Sequence, residues 1–348
     1  MADWAINVEL TTQQQNVLEL TQSAIIKGVA GSGKTLTAVH LAKKLKDKEF
    51  LFIVYTISLK EFINDGIREL QIDNAKVMYA WEWQSKKSDP EKSADYILVD
   101  EAQDFNEDFI LLLKSKARKG IFFFGDSAQQ VFSEPVGVGK VGTNVKPTIN
   151  IEEIEKITNL SNIIDLGGNH RLYESVAKVA QLINSGGDIV SNCKKKGGNK
   201  PIVKKCSSEQ AQLDWIADLI KAKELKDVAI LIPTNLAKEN SYAGVLEASI
   251  YLKDKGLNLG VRYVKDSRTH STLSFKSDVI NMMPYHSAKG LQFKNVFLPF
   301  YSVGEREWKK AFFVALTRTS DNLYITTYPN DNRDFLSRAT RENLVDVI

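Results

Sequence analysis

The stretch that most constrains the fold of this chain is GVAGSGKT, residues 28–35. It satisfies the pattern G-x-x-x-x-G-K-[ST], and it lies between an apolar run, AIIKGV, and a stretch with helical periodicity. The glycines allow backbone N–H groups to turn inward around phosphate oxygens, and the N-terminus of the following helix adds the positive end of its dipole. The sequence therefore predicts a phosphate-binding loop (P-loop). A glycine-rich turn with a solvent-exposed lysine is the alternative.

Two side chains at the end of this loop have specific predicted roles. We expect Lys34 to contact the β- and γ-phosphates of a nucleotide, and the Thr35 hydroxyl to bind Mg²⁺. The remaining residues predicted to bind the nucleotide here are Gly28, Ala30, Gly31, Ser32 and Gly33.

A second run, YILV, ends in two adjacent carboxylates, Asp100 and Glu101. Neighbouring carboxylates raise each other's pKa, and a divalent cation relieves that repulsion. Because a P-loop protein needs a carboxylate for Mg²⁺ at the tip of a neighbouring strand, we assign Asp100 to the metal. Glu101 is then placed to take a proton from the attacking water. Solvated acids at the end of a surface strand are the alternative.

The stretch FFFGDSAQQVF follows the next predicted strand and contains Asp126 and Gln129. A neutral amide at this place can hydrogen-bond a γ-phosphate or orient water without competing as a base. We therefore add Gln129 to the predicted catalytic residues.

Short apolar runs alternate with helical patterns in both halves of the chain, which is typical of parallel sheets built from βαβ units. We predict an α/β fold of two domains, residues 1–158 and 159–348, with the nucleotide in the cleft between them. The glycine-rich segment 134–147 is predicted to be a surface loop. The predicted strands are AIIKGV, FLFIVYT, YILVDE and GIFFFGD in the first half and VAILIP, NVFLPF and LYITTY in the second.

Composition and the N-terminal residues predict a globular protein that is neither secreted nor membrane-spanning. At 348 residues, with 43% hydrophobic and 26% charged residues, the chain has the composition of a soluble globular protein with room for two cores. The N-terminus has no basic region followed by an apolar block, and no window resembles a membrane span, so we expect a cytoplasmic location. The net charge of +3 permits a nucleic-acid partner without predicting one. Cys193 and Cys206 lack the spacing of a metal site and are expected to be reduced.

Taken in order, the motifs resemble the core of superfamily 1 helicases of the UvrD/Rep type, and the resemblance runs through nearly the whole chain. Walker A, DEAQD, HSAKGL and VALTR in this order make it specific. The matching stretches are LTTQQQNVL (Q motif), GVAGSGKT (Walker A), YTISLKEFI (motif Ia), DEAQD (Walker B), GDSAQQVF (motif III), NHRLYESV (motif IV), YHSAKGLQFKNVFLP (motif V) and FFVALTRTSDNLYIT (motif VI).

The resemblance implies two RecA-like domains, 1A and 2A, and further nucleotide contacts. Gln14 would bond the adenine edge, and His170, in place of the family's usual Tyr, would stack on adenine. Arg171 and Arg318 would reach the γ-phosphate from the second domain, with Arg318 as the arginine finger. Two positions of motif V join the set: Gly290, and Gln292 where relatives often carry a ribose-binding Glu.

The resemblance also implies contacts with nucleic acid. Thr56 would touch the phosphate backbone, and Trp81 and Trp83, near motif Ib, would stack on bases; packing inside the core is the alternative for both rings. His286 and Lys289 of motif V would line the nucleic-acid side, although a lone histidine is more often structural.

The intervals between motifs are too short for the accessory domains 1B and 2B of larger relatives, and motif III lacks the usual Trp-Arg. The resemblance implies an ATP- and Mg²⁺-dependent motor on single-stranded nucleic acid, expected to be DNA, that moves 3′→5′. The first alternative is a nucleotide-gated switch subunit of a repair or anti-phage complex, in which a protein partner supplies DNA binding or nuclease activity. A P-loop kinase is the second alternative.

Overall fold

A computed structural model describes residues 9–86, 89–126, 147–183, 189–301, 306–328 and 334–348. They form two compact units, one ending at His170 and the other beginning at Arg171. The segment 159–170, which the sequence analysis assigned to the second domain, groups with the first unit. Gln129 and nearly all of the glycine-rich segment 134–147 lie outside the described residues.

The first unit is built on a six-stranded sheet in the order β3-β2-β4-β5-β1-β6, with every neighbouring pair parallel. Because the strands are parallel, the loops after β1 and β4 leave the same edge of the sheet. The elements are α1 (Thr12–Leu18), β1 (Ala24–Lys27), α2 (Lys34–Lys44), β2 (Phe50–Val54), α3 (Ile57–Glu69), β3 (Lys76–Tyr79), α4 (Ala80–Ser85), α5 (Asp89–Lys92), β4 (Ala94–Val99), α6 (Glu107–Lys116), β5 (Ala117–Gly125), α7 (Ile151–Thr158) and β6 (Ile163–Asp165).

The second unit is built on an eight-stranded sheet in the order β12-β11-β13-β10-β14-β15-β9-β16. Its neighbours are parallel except β11 and β12, which form an antiparallel pair. The elements are α8 (Glu174–Ile183), β8 (Cys193–Lys195), β9 (Ile202–Lys205), α9 (Glu209–Ala222), β10 (Val228–Ile232), α10 (Val245–Asp254), β11 (Leu259–Lys265), β12 (Arg268–Ser271), β13 (Ile280–Pro284), β14 (Phe293–Leu298), α11 (Arg306–Leu316), β15 (Thr319–Thr327), α12 (Asp334–Arg341) and β16 (Asp346–Val347). A further strand, β7 (Asn169–Tyr173), contains the boundary between the units and pairs with β8 in a two-stranded sheet.

The predicted α/β fold with parallel sheets is confirmed, and all seven apolar runs named above form strands. The central strands are buried on both faces, as continuous apolar runs predict. In the described parts of the chain, no helix has the length and apolar character needed to cross a membrane. Cys193 and Cys206 are free and buried, and burial raises the pKa of both thiols.

Trp83 belongs to the core of the first unit, where it is completely buried. Its ring meets Phe109 edge-on with centroids 5.4 Å apart, and its Nε1 donates a hydrogen bond to the carbonyl of Lys92 at 3.1 Å. Because the core covers the ring, the predicted stacking of Trp83 on a base is wrong and the packing alternative holds. Trp81 is 46% exposed, so its stacking role stays a prediction.

The two tryptophans form a matched pair for measuring what burial contributes. We expect Trp83→Ala to lower the free energy of unfolding by about 3–5 kcal/mol, because it leaves a cavity in the core. We expect Trp81→Ala to change it by less than about 0.5 kcal/mol, as for an exposed position. Urea unfolding of the three proteins measures both effects. Equal losses from the two variants would contradict the assigned burial.

Candidate active site

The P-loop joins β1 to α2 and depends on glycine at two places. Gly33 caps α2 with a φ of 85°, and a Cβ there would lie 2.3 Å from Nε2 of Gln14. A Cβ on Gly28 would lie 2.2 Å from Oγ of Ser32. Any larger residue at either position would have to displace a side chain that packs on the loop, which explains the local glycine pattern.

Gln14 connects α1 to the P-loop. Its Oε1 accepts a hydrogen bond from the amide of Thr11 at 2.9 Å, and its Nε2 donates one to the carbonyl of Ser32 at 3.0 Å. The side chain caps α1 and is nearly completely buried. The structure therefore places Gln14 against the phosphate-binding backbone, while its contact with adenine stays a prediction.

The interior of the loop contains a cation and an unsatisfied hydroxyl. Lys34 is buried, and its Nζ donates hydrogen bonds to the carbonyls of Gly28 at 2.7 Å and Val29 at 3.3 Å. The Ser32 hydroxyl is fully buried and has no hydrogen-bond partner among the residues that the structure describes. Buried polar groups in proteins are nearly always paired. A phosphate oxygen would supply the missing partner, so the loop fits a nucleotide phosphate.

Thr35 and Asp100 meet at the carboxyl edge of the first sheet. The Thr35 hydroxyl donates a hydrogen bond to Oδ2 of Asp100 at 2.6 Å, and the amide of Asp100 continues the ladder to the carbonyl of Ile53 at 3.0 Å. Mg²⁺ is held in phosphate sites by one or two protein oxygens together with water and phosphate. This pair of oxygens fits that ion. Among the described residues no three His, Cys, Asp or Glu side chains converge to form an all-protein metal cage.

The carboxyl group of Asp100 is electrostatically unusual. Burial, and then the charge of Glu101, raise its pKa to about 7, although the hydrogen bond from Thr35 and the charge of Lys34 lower it in part. Without a cation, burial and the neighbouring carboxylate therefore favour the protonated form. A divalent ion beside it would favour the carboxylate.

Glu101 is held in a strained conformation. Its φ is 53° and its ψ 45°, a left-handed conformation that residues other than glycine seldom adopt and that costs about 1–3 kcal/mol. Its Oε2 accepts a hydrogen bond from Nε2 of Gln103 at 2.6 Å. Such strain is concentrated at functional sites, and this geometry fixes a carboxylate at the end of β4.

Gln103 is the residue that sequence reasoning missed. It is fully buried, and its Oε1 accepts a hydrogen bond from the amide of Asp126 at 3.1 Å while its Nε2 holds Glu101. A Cβ on Gly125 would lie 2.7 Å from Oε1 of Gln103, so glycine leaves room for this amide. The available signal was an amide two residues after the acid pair, together with a glycine at the end of the next strand.

In the second unit, the predicted arginine of motif IV meets motifs V and VI. Nε of Arg171 donates a hydrogen bond to Oε1 of Gln292 at 3.0 Å, and its Nη1 donates one to the carbonyl of Thr317 at 3.2 Å. Three residues that are far apart in the sequence therefore come together. Gly290 has a φ of 81° in the turn before Gln292.

Arg318 is 1% exposed and lies beside Thr317. Its guanidinium donates hydrogen bonds to the carbonyls of Val314 at 2.9 Å and Leu291 at 3.3 Å, and to the Thr317 hydroxyl at 3.1 Å. Thr317 thus contacts both predicted arginines, through its carbonyl and its hydroxyl. The structure brings Arg171, Gln292 and Arg318 into one cluster; their contacts with a nucleotide stay predictions.

The predicted site residues His170, Thr56 and Lys289 lie in different environments. The backbone amide of His170 donates a hydrogen bond to the carbonyl of Gly31 at 2.9 Å, and its side chain is exposed. The Thr56 hydroxyl caps α3 by accepting from the amide of Leu59 at 3.1 Å. Lys289 is 1% exposed, so it is not a free surface cation in this structure. These contacts do not test the predicted roles. Binding of adenine by His170, and of nucleic acid by Thr56 and Lys289, stays a prediction.

His286 follows β13 and has a perturbed imidazole. Burial, and then the charge of Arg262, lower its pKa to about 4. The ring is therefore neutral at physiological pH, where it can donate or accept a hydrogen bond but brings no positive charge. Its contact with nucleic acid stays a prediction.

Comparisons with known proteins agree with the motif assignments. Residues 5–156 match the family model described as "Type III restriction enzyme, res subunit" and residues 262–330 match that of the UvrD-like helicase C-terminal domain. A curated relative, the putative ATP-dependent DNA helicase R568 of Acanthamoeba polyphaga mimivirus, is 23% identical over 268 residues. That alignment covers 71% of this chain and 36% of the relative, so the chain spans about a third of its length. Together these matches support the resemblance of the chain to superfamily 1 helicases of the UvrD-like type.

Two solved structures are also similar. The arterivirus nonstructural protein 10 helicase has a TM-score of 0.47 and 16% identity, over 93% of this chain and 63% of that one. The PRRSV helicase has a TM-score of 0.47 and 13% identity, over 93% of this chain and 55% of that one.

The raised pKa of Asp100 gives stability a measurable pH dependence. Between about pH 4 and 7 the unfolded chain releases this proton and the folded chain keeps it, so the contribution of Asp100 to folding weakens as pH rises. We expect Asp100→Asn to remove this trend, and to become the more stable protein at pH 8 by a few kcal/mol, because each pKa unit is worth about 1.4 kcal/mol.

The measurement is the free energy of unfolding of both proteins in metal-free buffer at pH 4.5, 6 and 8. The difference between them should grow in favour of Asp100→Asn as pH rises. A difference that does not vary with pH would show that Asp100 titrates normally.

Proposed function

We propose that this chain is an ATP- and Mg²⁺-dependent motor on single-stranded nucleic acid, with DNA as the expected strand and 3′→5′ as the expected direction. The observation that carries the proposal is the arrangement at the end of β4, where Asp100 faces Thr35 of the P-loop and Glu101 is fixed beside it. The family matches support the part of the proposal that concerns nucleic acid. A cytoplasmic location stays a prediction.

In this proposal the first unit positions the nucleotide and the water. Lys34 supplies a point charge to the phosphates, and Thr35 and Asp100 would hold Mg²⁺, which when bound neutralises charge on the phosphate oxygens. Glu101 accepts the proton of the attacking water as a general base. Gln103 holds the orientation of that carboxylate through its hydrogen bond at 2.6 Å.

The second unit supplies the arginines in this proposal. Arg171 and Arg318 would reach the γ-phosphate when the two units close on ATP, and an arginine finger is worth about 10³–10⁵ in rate. Since both contact Thr317, they would approach as one group. Hydrolysis removes the phosphate that favours closure, which couples the motion to the nucleotide.

The alternative proposal is a nucleotide-gated switch subunit whose protein partner supplies DNA binding or nuclease action. The burial of Trp83 favours it, because one of the two rings predicted to stack on bases is taken by the core. Tight ATP binding without affinity for any oligonucleotide would select this alternative.

The direct test is the rate of ATP hydrolysis with single-stranded DNA, duplex DNA and single-stranded RNA side by side. We expect single-stranded DNA to raise the rate several-fold at low salt and the stimulation to fade as salt increases, because phosphate contacts release counterions. A rate that no oligonucleotide changes at low salt would refute the motor.

Glu101→Gln removes the proposed general base and leaves its neighbouring residues unchanged. The new amide can still accept the hydrogen bond from Gln103, so ATP binding should persist while the maximal hydrolysis rate falls by about 10²–10⁴. The control is Asp73→Asn, which removes one exposed acid from the turn before β3. Steady-state hydrolysis and nucleotide binding measure both variants. Hydrolysis by Glu101→Gln at the parent rate would show that Glu101 is not the base.

A further inference from the structure

The antiparallel pair β11–β12 carries an unusual group of side chains. In its register Tyr263 lies opposite His270, and Lys265 lies opposite Arg268. Cross-strand partners, and residues two apart in a strand, share one face of a sheet. Tyr263, Lys265, Arg268 and His270 therefore occupy the same face, which we call the hairpin face. All except the half-buried Tyr263 are exposed.

Two like charges lie side by side on the hairpin face. Lys265 and Arg268 are directly opposite each other, an arrangement of like charges that destabilises a sheet. Neither side chain forms an ion pair or a hydrogen bond with any residue in the described ranges. The turn between them contains Asp266, which has a φ of 48°. The pair is unfavourable for folding, so a polyanionic ligand would relieve it.

The rings add a second element of recognition. Tyr263 and His270 are stacked, with centroids 4.9 Å apart and planes 14° from parallel. Flat rings beside cations are the combination with which proteins bind single strands, the rings against bases and the cations against phosphates.

The hairpin also lies next to motif V. β11 runs parallel to β13, with Val261 opposite Met282, so both strands leave the same edge of the sheet. β13 is followed directly by the motif V segment that contains His286.

Two hydrogen bonds connect the hairpin to neighbouring segments. Arg262, on the opposite face of β11, donates a hydrogen bond from Nη1 to Oγ of Ser287. The amide of Val264 is held by Oδ1 of Asn235 at 3.0 Å, which anchors the hairpin to the loop after β10.

We propose that the hairpin face is a binding surface for single-stranded nucleic acid that extends the track beyond motif V. Lys265 and Arg268 contact two phosphates, and the Tyr263–His270 stack supports a base. This inference rests on the proposed motor function and adds to it a surface that no motif of the resemblance contains.

The test measures binding of a fluorescein-labelled oligothymidylate by anisotropy at several salt concentrations. In the double variant Lys265→Gln/Arg268→Gln, we expect weaker binding and a salt dependence less steep by about 1.4 in log K against log salt, since each phosphate contact on a single strand contributes about 0.7. His270→Ala should weaken binding about fivefold or more at every salt concentration, with a parallel slope.

The matched control is Lys223→Gln/Lys226→Gln, which removes two exposed lysines from the opposite edge of the same sheet, before β10. It should bind like the parent, and thermal unfolding of each variant checks the fold. If the parent binds and the hairpin variant keeps the parent slope and affinity, the inference is refuted and the two cations merely protect an edge strand. If the parent binds no oligonucleotide, the proposed motor fails as well, and ATP hydrolysis without nucleic acid shows whether the nucleotide site survives.

Discussion

The hydrogen bond between Thr35 and Asp100 is the contact on which the candidate site depends. β5 lies between β4 and β1 in the sheet, so the acid after β4 and the P-loop after β1 are separated by one intervening strand. Neighbouring strands are about 4.8 Å apart. The first turn of α2 must therefore pass over the end of β5 for the hydroxyl to reach the carboxylate at 2.6 Å. The order of strands in this parallel sheet thus brings the two oxygens together.

Burying these groups is costly, and the surrounding residues offset part of that cost. Asp100 and Glu101 are adjacent, nearly inaccessible carboxyl groups, and burial raises the pKa of Asp100 to about 7. Gln103 and Thr35 each donate one hydrogen bond to the pair. The left-handed backbone at Glu101 adds strain. A cation beside the two carboxyl groups would reduce this cost. A phosphate oxygen would supply the partner that the buried Ser32 hydroxyl lacks among the described residues.

Much of the fold could be predicted from the sequence, because continuous apolar runs followed by helical patterns permit few arrangements. The P-loop and the acid pair could also be placed, since each follows a predicted strand of one parallel sheet. The role of Gln103 could not, because it depends on the register that puts the amide of Asp126 within 3.1 Å. The sequence could not show which tryptophan is buried, because Trp81 and Trp83 are the same residue type two positions apart. Only the orientation of α4 decides that Trp83 enters the core. The hairpin face likewise requires the pairing of β11 with β12.

Joint binding of a magnesium-bound nucleotide by the P-loop and the end of β4 is the proposal on which the function rests. It is tested most directly by titrating a fluorescent ATP analogue into the parent protein and into Thr35→Ala, with and without Mg²⁺. We expect the parent to bind the analogue, Mg²⁺ to strengthen this binding, and Thr35→Ala to lose the gain from Mg²⁺. Binding by the parent that does not depend on Mg²⁺, or no binding at all, would contradict it.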